Sequence, residues 1–116
     1  MHALTGGASL GPGTVVFAGT VIQPDAAIGA HSILNTAAAV DHDCVVGDFV
    51  HMGPGVCLCG GVTVGEGVLL GVGAKVAPNV AIGPWSTAGA GAVCVIDVPG
   101  STTVVGVPAH PVEADA

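Results

Sequence analysis

The feature that most constrains this chain is a six-residue apolar repeat that never loses its phase. From Leu4, every sixth residue is apolar: Leu10, Val16, Ile22 and Ile28 follow, and the series runs without insertion through fifteen hexads to Ala88. Four residues after each of these positions stands a small or β-branched residue, from Ala8 and Thr14 through Cys44 to Ser86 and Ala92. A helix needs apolar recurrence near 3.6 residues, and hairpins do not hold one phase over such a length. Self-similarity at a fixed period therefore decides for a repeat architecture. Each hexad reads as a short strand, with one outward residue between two inward ones, and a corner made by the other three.

Grouping the hexads in threes gives a triangular coil of eighteen residues. Stepping by eighteen, the residue after the apolar position is Gly11, Gly29, Gly47, Gly65 and Gly83 on one side, and Phe17, Asn35, Gly53, Gly71 and Gly89 on a second. Glycine and asparagine tolerate φ > 0, which a repeated sharp corner is expected to demand at these columns. Twenty glycines, eight prolines and only three aromatics suit a narrow aliphatic core with tight corners. The expected fold is all-β, a parallel β-helix of about five triangular coils over residues 1–93. Residues 94–116 form a closing segment, with a possible strand at Thr103-Val104-Val105 and a frayed tail from Glu113 to Ala116.

Charge and cysteine usage narrow the function classes. Eight acidic residues face the single base Lys75, a net charge of −7, so nucleic acid is a poor partner. Residues 76–96 are uncharged, but Pro78, Asn79 and Pro84 argue against a membrane helix. Cys44, Cys57, Cys59 and Cys94 lack zinc-ribbon spacing, and no metal is called for. With no visible secretory signal, a cytoplasmic protein with free thiols is expected. Two outward columns, Val15, Ile33, His51, Leu69, Thr87 and Val21, Ala39, Cys57, Lys75, Val93, are largely apolar. Flat apolar faces imply burial against another subunit.

One hexad departs from the scaffold. In the corner column Pro24, His42, Gly60, Pro78, Ile96, proline and glycine suit the corner geometry and His42 does not. Gly60 leaves room beside its imidazole. Asp41 and Asp43 flank the ring, and either can hold one nitrogen as N–H so that the other accepts a proton. The plain alternative is an exposed corner histidine.

The stretch Asn35-Thr36 … Val40-Asp41-His42-Asp43-Cys44 … Gly47-Asp48-Phe49-Val50-His51 resembles the hexapeptide-repeat acyltransferases. The resemblance is to the branch of sialic acid O-acetyltransferases and bacterial amino-sugar-nucleotide N-acetyltransferases, and it covers nearly the whole chain. It implies a left-handed coil, where general crossover rules favour the right hand, and a homotrimer. It also implies acetyl-CoA as co-substrate and a catalytic pair of His42 as general base and Asp43 beside it. His51, Gly60, Val72 and Ala90 would contact the coenzyme, and Asn35 the substrate. For His51 the plain alternative is an interface histidine, and for Asn35 a corner residue.

The chain departs from the branch in three places. Asp43 stands where Glu is usual, and His110 stands where a base follows the closing Pro-Ala. An N-terminal βαβ domain is also missing, so either the chain is a fragment or its acceptor differs. The expected activity is acetyl transfer to an amino or hydroxyl group of a sugar, free or nucleotide-linked. One rival is transfer to a small non-nucleotide acceptor. The other is a structural or binding β-helix, against which Thr14, Thr20, Thr63 and Thr87 form no regular ladder.

Overall fold

A two-residue strand forms at each of the fifteen hexads, and from Leu10 onward its inward residue is the one that the period singles out. The computed structural model describes residues 3, 4 and 6–112, with side chains from residue 6 onward. Face A stacks β1 (Ala3–Leu4), β4 (Val21–Ile22), β7 (Ala39–Val40), β10 (Cys57–Leu58), β13 (Lys75–Val76) and β16 (Val93–Cys94). Face B stacks β2 (Ser9–Leu10), β5 (Ala27–Ile28), β8 (Val45–Val46), β11 (Thr63–Val64) and β14 (Ala81–Ile82). Face C stacks β3 (Val15–Val16), β6 (Ile33–Leu34), β9 (His51–Met52), β12 (Leu69–Leu70), β15 (Thr87–Ala88) and β17 (Thr103–Val105). β18 (His110–Pro111) closes face C antiparallel to β17, and every other strand pair is parallel. The expected tail, Glu113 to Ala116, lies outside the described residues.

The register repeats at eighteen residues, as in Cys57 beside Lys75 and Val45 beside Thr63. Backbone N–H groups donate from coil to coil, for example from Cys57 to Ala74 O at 3.0 Å and from Gly47 to Val64 O at 2.8 Å. The last coil is tighter. Ile82 bridges Val98 and Ala88 pairs with Val104, so this coil closes in sixteen residues and stays in register. Ile22, Leu34, Met52, Leu58 and Leu70 are fully buried on the axis. Burying one such side chain contributes about 1.5–3 kcal/mol, and each coil covers only its neighbours. Among the described residues no helix is long and apolar enough to cross a membrane.

The glycine columns serve a different purpose from the one expected. Positive φ falls two residues further on, at every corner from Gly7 to Gly91. Asp25, His31, Ala37, Asp43, Phe49, Asn79 and Trp85 adopt it where glycine is absent. Gly11, Gly29, Gly47, Gly65 and Gly83 are not in that region. They are glycine because the next coil runs against them: a Cβ on Gly65 would sit 2.6 Å from Pro84 N, and one on Gly29 2.7 Å from Gly47 C. Close approach, not left-handed geometry, fixes that column.

The small inward column also carries a polar ladder. Thr14 and Thr20 donate from Oγ1 to the carbonyls fifteen residues ahead, Gly29 O at 2.7 Å and Asn35 O at 3.0 Å. Ser32 Oγ reaches Gly47 O at 3.0 Å and Cys44 Sγ reaches Cys59 O at 3.1 Å in the same way. The hydroxyl of Ser32 accepts in turn from Val50 N at 3.0 Å. Among the described residues no buried side-chain polar atom lacks a partner.

Two predictions follow from this packing. Gly65→Ala forces a methyl into Pro84 and is expected to cost about 1–3 kcal/mol of stability in denaturant titration. An unchanged midpoint would contradict the close-approach reading. Burial also pushes the Cys44 and Cys94 thiols above the ordinary value of 9.0. The folded chain then holds those protons more tightly than the unfolded one. Stability is full below the unfolded pKa and falls as pH rises through the folded one. The thermal midpoint is expected to drop in alkali, and to drop less in a Cys44→Val, Cys94→Val double variant.

Candidate active site

The vertex between faces A and B is built from the residues that follow each face A strand. In the third coil these are Asp41, His42, Asp43 and Cys44. Three backbone or cap bonds fix the loop. His42 N donates to Asp41 Oδ1 at 2.7 Å, Gly61 N donates to His42 O at 3.0 Å, and Asp43 N donates to Pro24 O at 3.2 Å. Asp41 is therefore used on the backbone.

Asp43 is the carboxylate that meets the ring, with Oδ2 at 3.1 Å from His42 Nδ1. Both side chains are open to solvent, at 62% and 67%, so the contact orients the imidazole more than it stabilises the fold. A proton on Nδ1 completes the contact and leaves Nε2 as the acceptor. The ring leans towards the next coil, and a Cβ on Gly60 would lie 2.6 Å from Nε2. The room left by Gly60 is thus taken up by the imidazole itself. Gly60 N–H makes no hydrogen bond among the described residues.

The thiols nearby are poorly placed for covalent chemistry. Burial, then the neighbouring Cys57 and Asp41, push the Cys59 thiol up. Burial does the same to Cys44, which is inaccessible and donates to Cys59 O. A nucleophilic cysteine needs the opposite environment. Among the described residues no three metal-binding side chains come together.

The other sequence-derived residues lie elsewhere on the prism. Val72 and Ala90 sit one coil apart at the vertex between faces C and A, both exposed, joined by Gly91 N to Val72 O at 2.8 Å. Asn35 is at the same vertex lower down, where its Oδ1 accepts from Thr36 N at 2.7 Å and so caps its own corner. His51 projects from face C. In a triangular prism face C lies opposite the A/B vertex, so His51 and His42 of one chain are kept apart. Face A spans the distance from the His42 vertex to the Val72 vertex.

A shallow depression of about 120 Å³ on face A is lined by Gln23, Ala39, Asp41 and Cys57, beside the His42 corner. Sequence reading passed over Gln23. Its signal was there, since it shares a corner column with Asp41 and Cys59, whereas the column after face B is glycine throughout. A larger apolar cavity, about 270 Å³, lies at the closing end under Ile96, Val98, Pro99 and Pro111.

No protein-family profile and no curated protein matches the chain. Solved structures do match it. The acetyltransferase domain of PglB from Neisseria gonorrhoeae FA1090 is 42% identical with a TM-score of 0.94, over 96% of this chain and 54% of that one. PerB from Caulobacter crescentus, solved in complex with CoA and GDP-perosamine, is 46% identical with a TM-score of 0.95, over 97% and 54%. WeeI from Acinetobacter baumannii AYE is 31% identical with a TM-score of 0.88, over 90% and 52%. The chain spans about half the length of these relatives. Over nearly its whole length it is a hexapeptide-repeat, left-handed β-helix domain similar to the acetyltransferase domain of PglB and to PerB.

Proposed function

We propose that this chain carries the acetyl-transfer site of an acetyl-CoA-dependent N-acetyltransferase whose acceptor is an amino sugar, carried on a nucleoside diphosphate. The observation that carries the reading is the His42–Asp43 pair, 3.1 Å apart at an open vertex. It occurs in a domain 46% identical to one solved with CoA and GDP-perosamine. Asp43 holds Nδ1–H, and Nε2 takes the acceptor's proton as the amine attacks the thioester carbonyl. A tetrahedral intermediate forms, and the Gly60 N–H is the donor assigned to its oxyanion. The intermediate collapses with loss of the coenzyme thiolate, to which the imidazolium returns the proton. Products are the acetylated amine and free coenzyme thiol, with no metal in the step.

His51 enters the same site only from a second copy, because it faces away from the His42 vertex of its own chain. We read the assembly as a cyclic trimer, in which face C of one prism packs on face A of the next. Val15 and Leu69 on face C, 48% and 42% exposed, supply the apolar ladder for that contact. Four unpaired cysteines suit the reducing cytoplasm.

Two experiments test this. His42→Ala should lower kcat/KM by about 10²–10⁴ in a coenzyme-release assay while the melting temperature holds. Full activity would mean that another group is the base. His42→Ala and His51→Ala chains, each impaired alone, should regain activity when refolded together, because mixed trimers contain interfaces with both histidines. A mixture no more active than its parts, or a monomer by light scattering, would remove the composite site.

A further inference from the structure

Lys75 is the only Lys or Arg in a chain of net charge −7, and carbonyl oxygens hold its ammonium. Among the described residues no carboxylate lies within ion-pair distance of it. Its Nζ donates instead to Gly55 O at 2.7 Å and Gly73 O at 3.0 Å, which fixes the ammonium at the C/A edge of face A. An ammonium has three donors, so one N–H remains for a ligand. The side chain is exposed, and the surface next to it is open: a Cβ on Gly73 or Gly91 would meet nothing within 4 Å.

The position matters as much as the charge. Lys75 follows Val72 by three residues at the same vertex, while His42 sits at the opposite edge of face A. β13 lies two coils beyond β7, about 10 Å along the prism at the usual strand spacing, and the width of the face adds to that. A long thioester laid across face A would present its acyl end to His42 and its far end to Lys75. In coenzyme A that far end carries phosphates. Their approach to an acidic chain is unfavourable, which makes one unpaired cation at the end of the track count for more.

Building on the proposed acetyl-CoA reading, we infer that Lys75 is the phosphate contact of the coenzyme, held ready by the Gly55 and Gly73 carbonyls. It takes the part that sequence comparison would give to a base after the closing Pro-Ala, where this chain has His110. The bland alternative is a lysine that only satisfies two vertex carbonyls. That role would affect melting and treat all ligands alike.

Calorimetric titration with coenzyme A, 3′-dephospho-coenzyme A and pantetheine separates the two. Lys75→Gln is expected to weaken coenzyme A about tenfold, the size of one charge-assisted hydrogen bond. It should leave pantetheine, which has no phosphate, unchanged, and Lys75→Arg should keep most of the affinity. A penalty that persists with the dephospho compound assigns the contact to the diphosphate; one that vanishes assigns it to the ribose phosphate. Equal coenzyme A affinity in wild type and Lys75→Gln would overturn this inference alone, as would an equal loss for pantetheine. A wild-type chain that binds none of the three would overturn it together with the acetyl-CoA reading.

Discussion

Every coil of this prism is held by the coil on either side of it, at the spacing that a parallel backbone ladder imposes. That spacing does more than stack the aliphatic core. It forces successive corners into contact, so a side chain at one corner is limited by the residue eighteen positions away. Gly65 yields to Pro84, and Gly67 yields to the indole of Trp85. Where His31 and Phe49 follow one another at the B/C vertex, their rings stack at 5.5 Å. The same rule places the His42 imidazole against Gly60. A functional group on such a scaffold is set by its column and its coil.

This rigidity suits the chemistry proposed for it. The His42 corner is fixed by backbone bonds to the coils on both sides, so its side chain starts from a set position. Orientation by Asp43, with Nε2 left as the acceptor, makes a small acid–base site at the edge of a shallow depression. On one prism the depression beside the His42 corner, about 120 Å³, is too shallow to enclose a thioester. Packing a second prism on face A would supply the missing wall, and it would bring a histidine from face C with it.

The architecture was legible in the sequence because its cause is a strict period. Both inward columns, the eighteen-residue coil and the strand at 103–105 are there to be counted. The purpose of the glycine columns was not legible, since sequence cannot separate a residue that must adopt positive φ from one that must make room. Seven non-glycine residues in left-handed corners, Trp85 among them, hide that position from inspection. At the site, the choice between Asp41 and Asp43 was open in sequence and was decided by geometry: one caps the backbone, the other meets the ring. The pairing of Lys75 with two carbonyls is equally invisible in sequence, because its partners are main-chain atoms.

The account as a whole stands on where the coenzyme lies. A crystal structure of the chain with a non-hydrolysable thioether analogue of acetyl-CoA tests it most directly. The predicted complex has the acyl carbon at the His42 Nε2 and Gly60 N–H end of face A. The rest of the coenzyme runs across that face between two prisms, with His51 of the second copy beside the acyl group. A coenzyme bound instead in the apolar cavity at the closing end, or on face B away from His42, would contradict it.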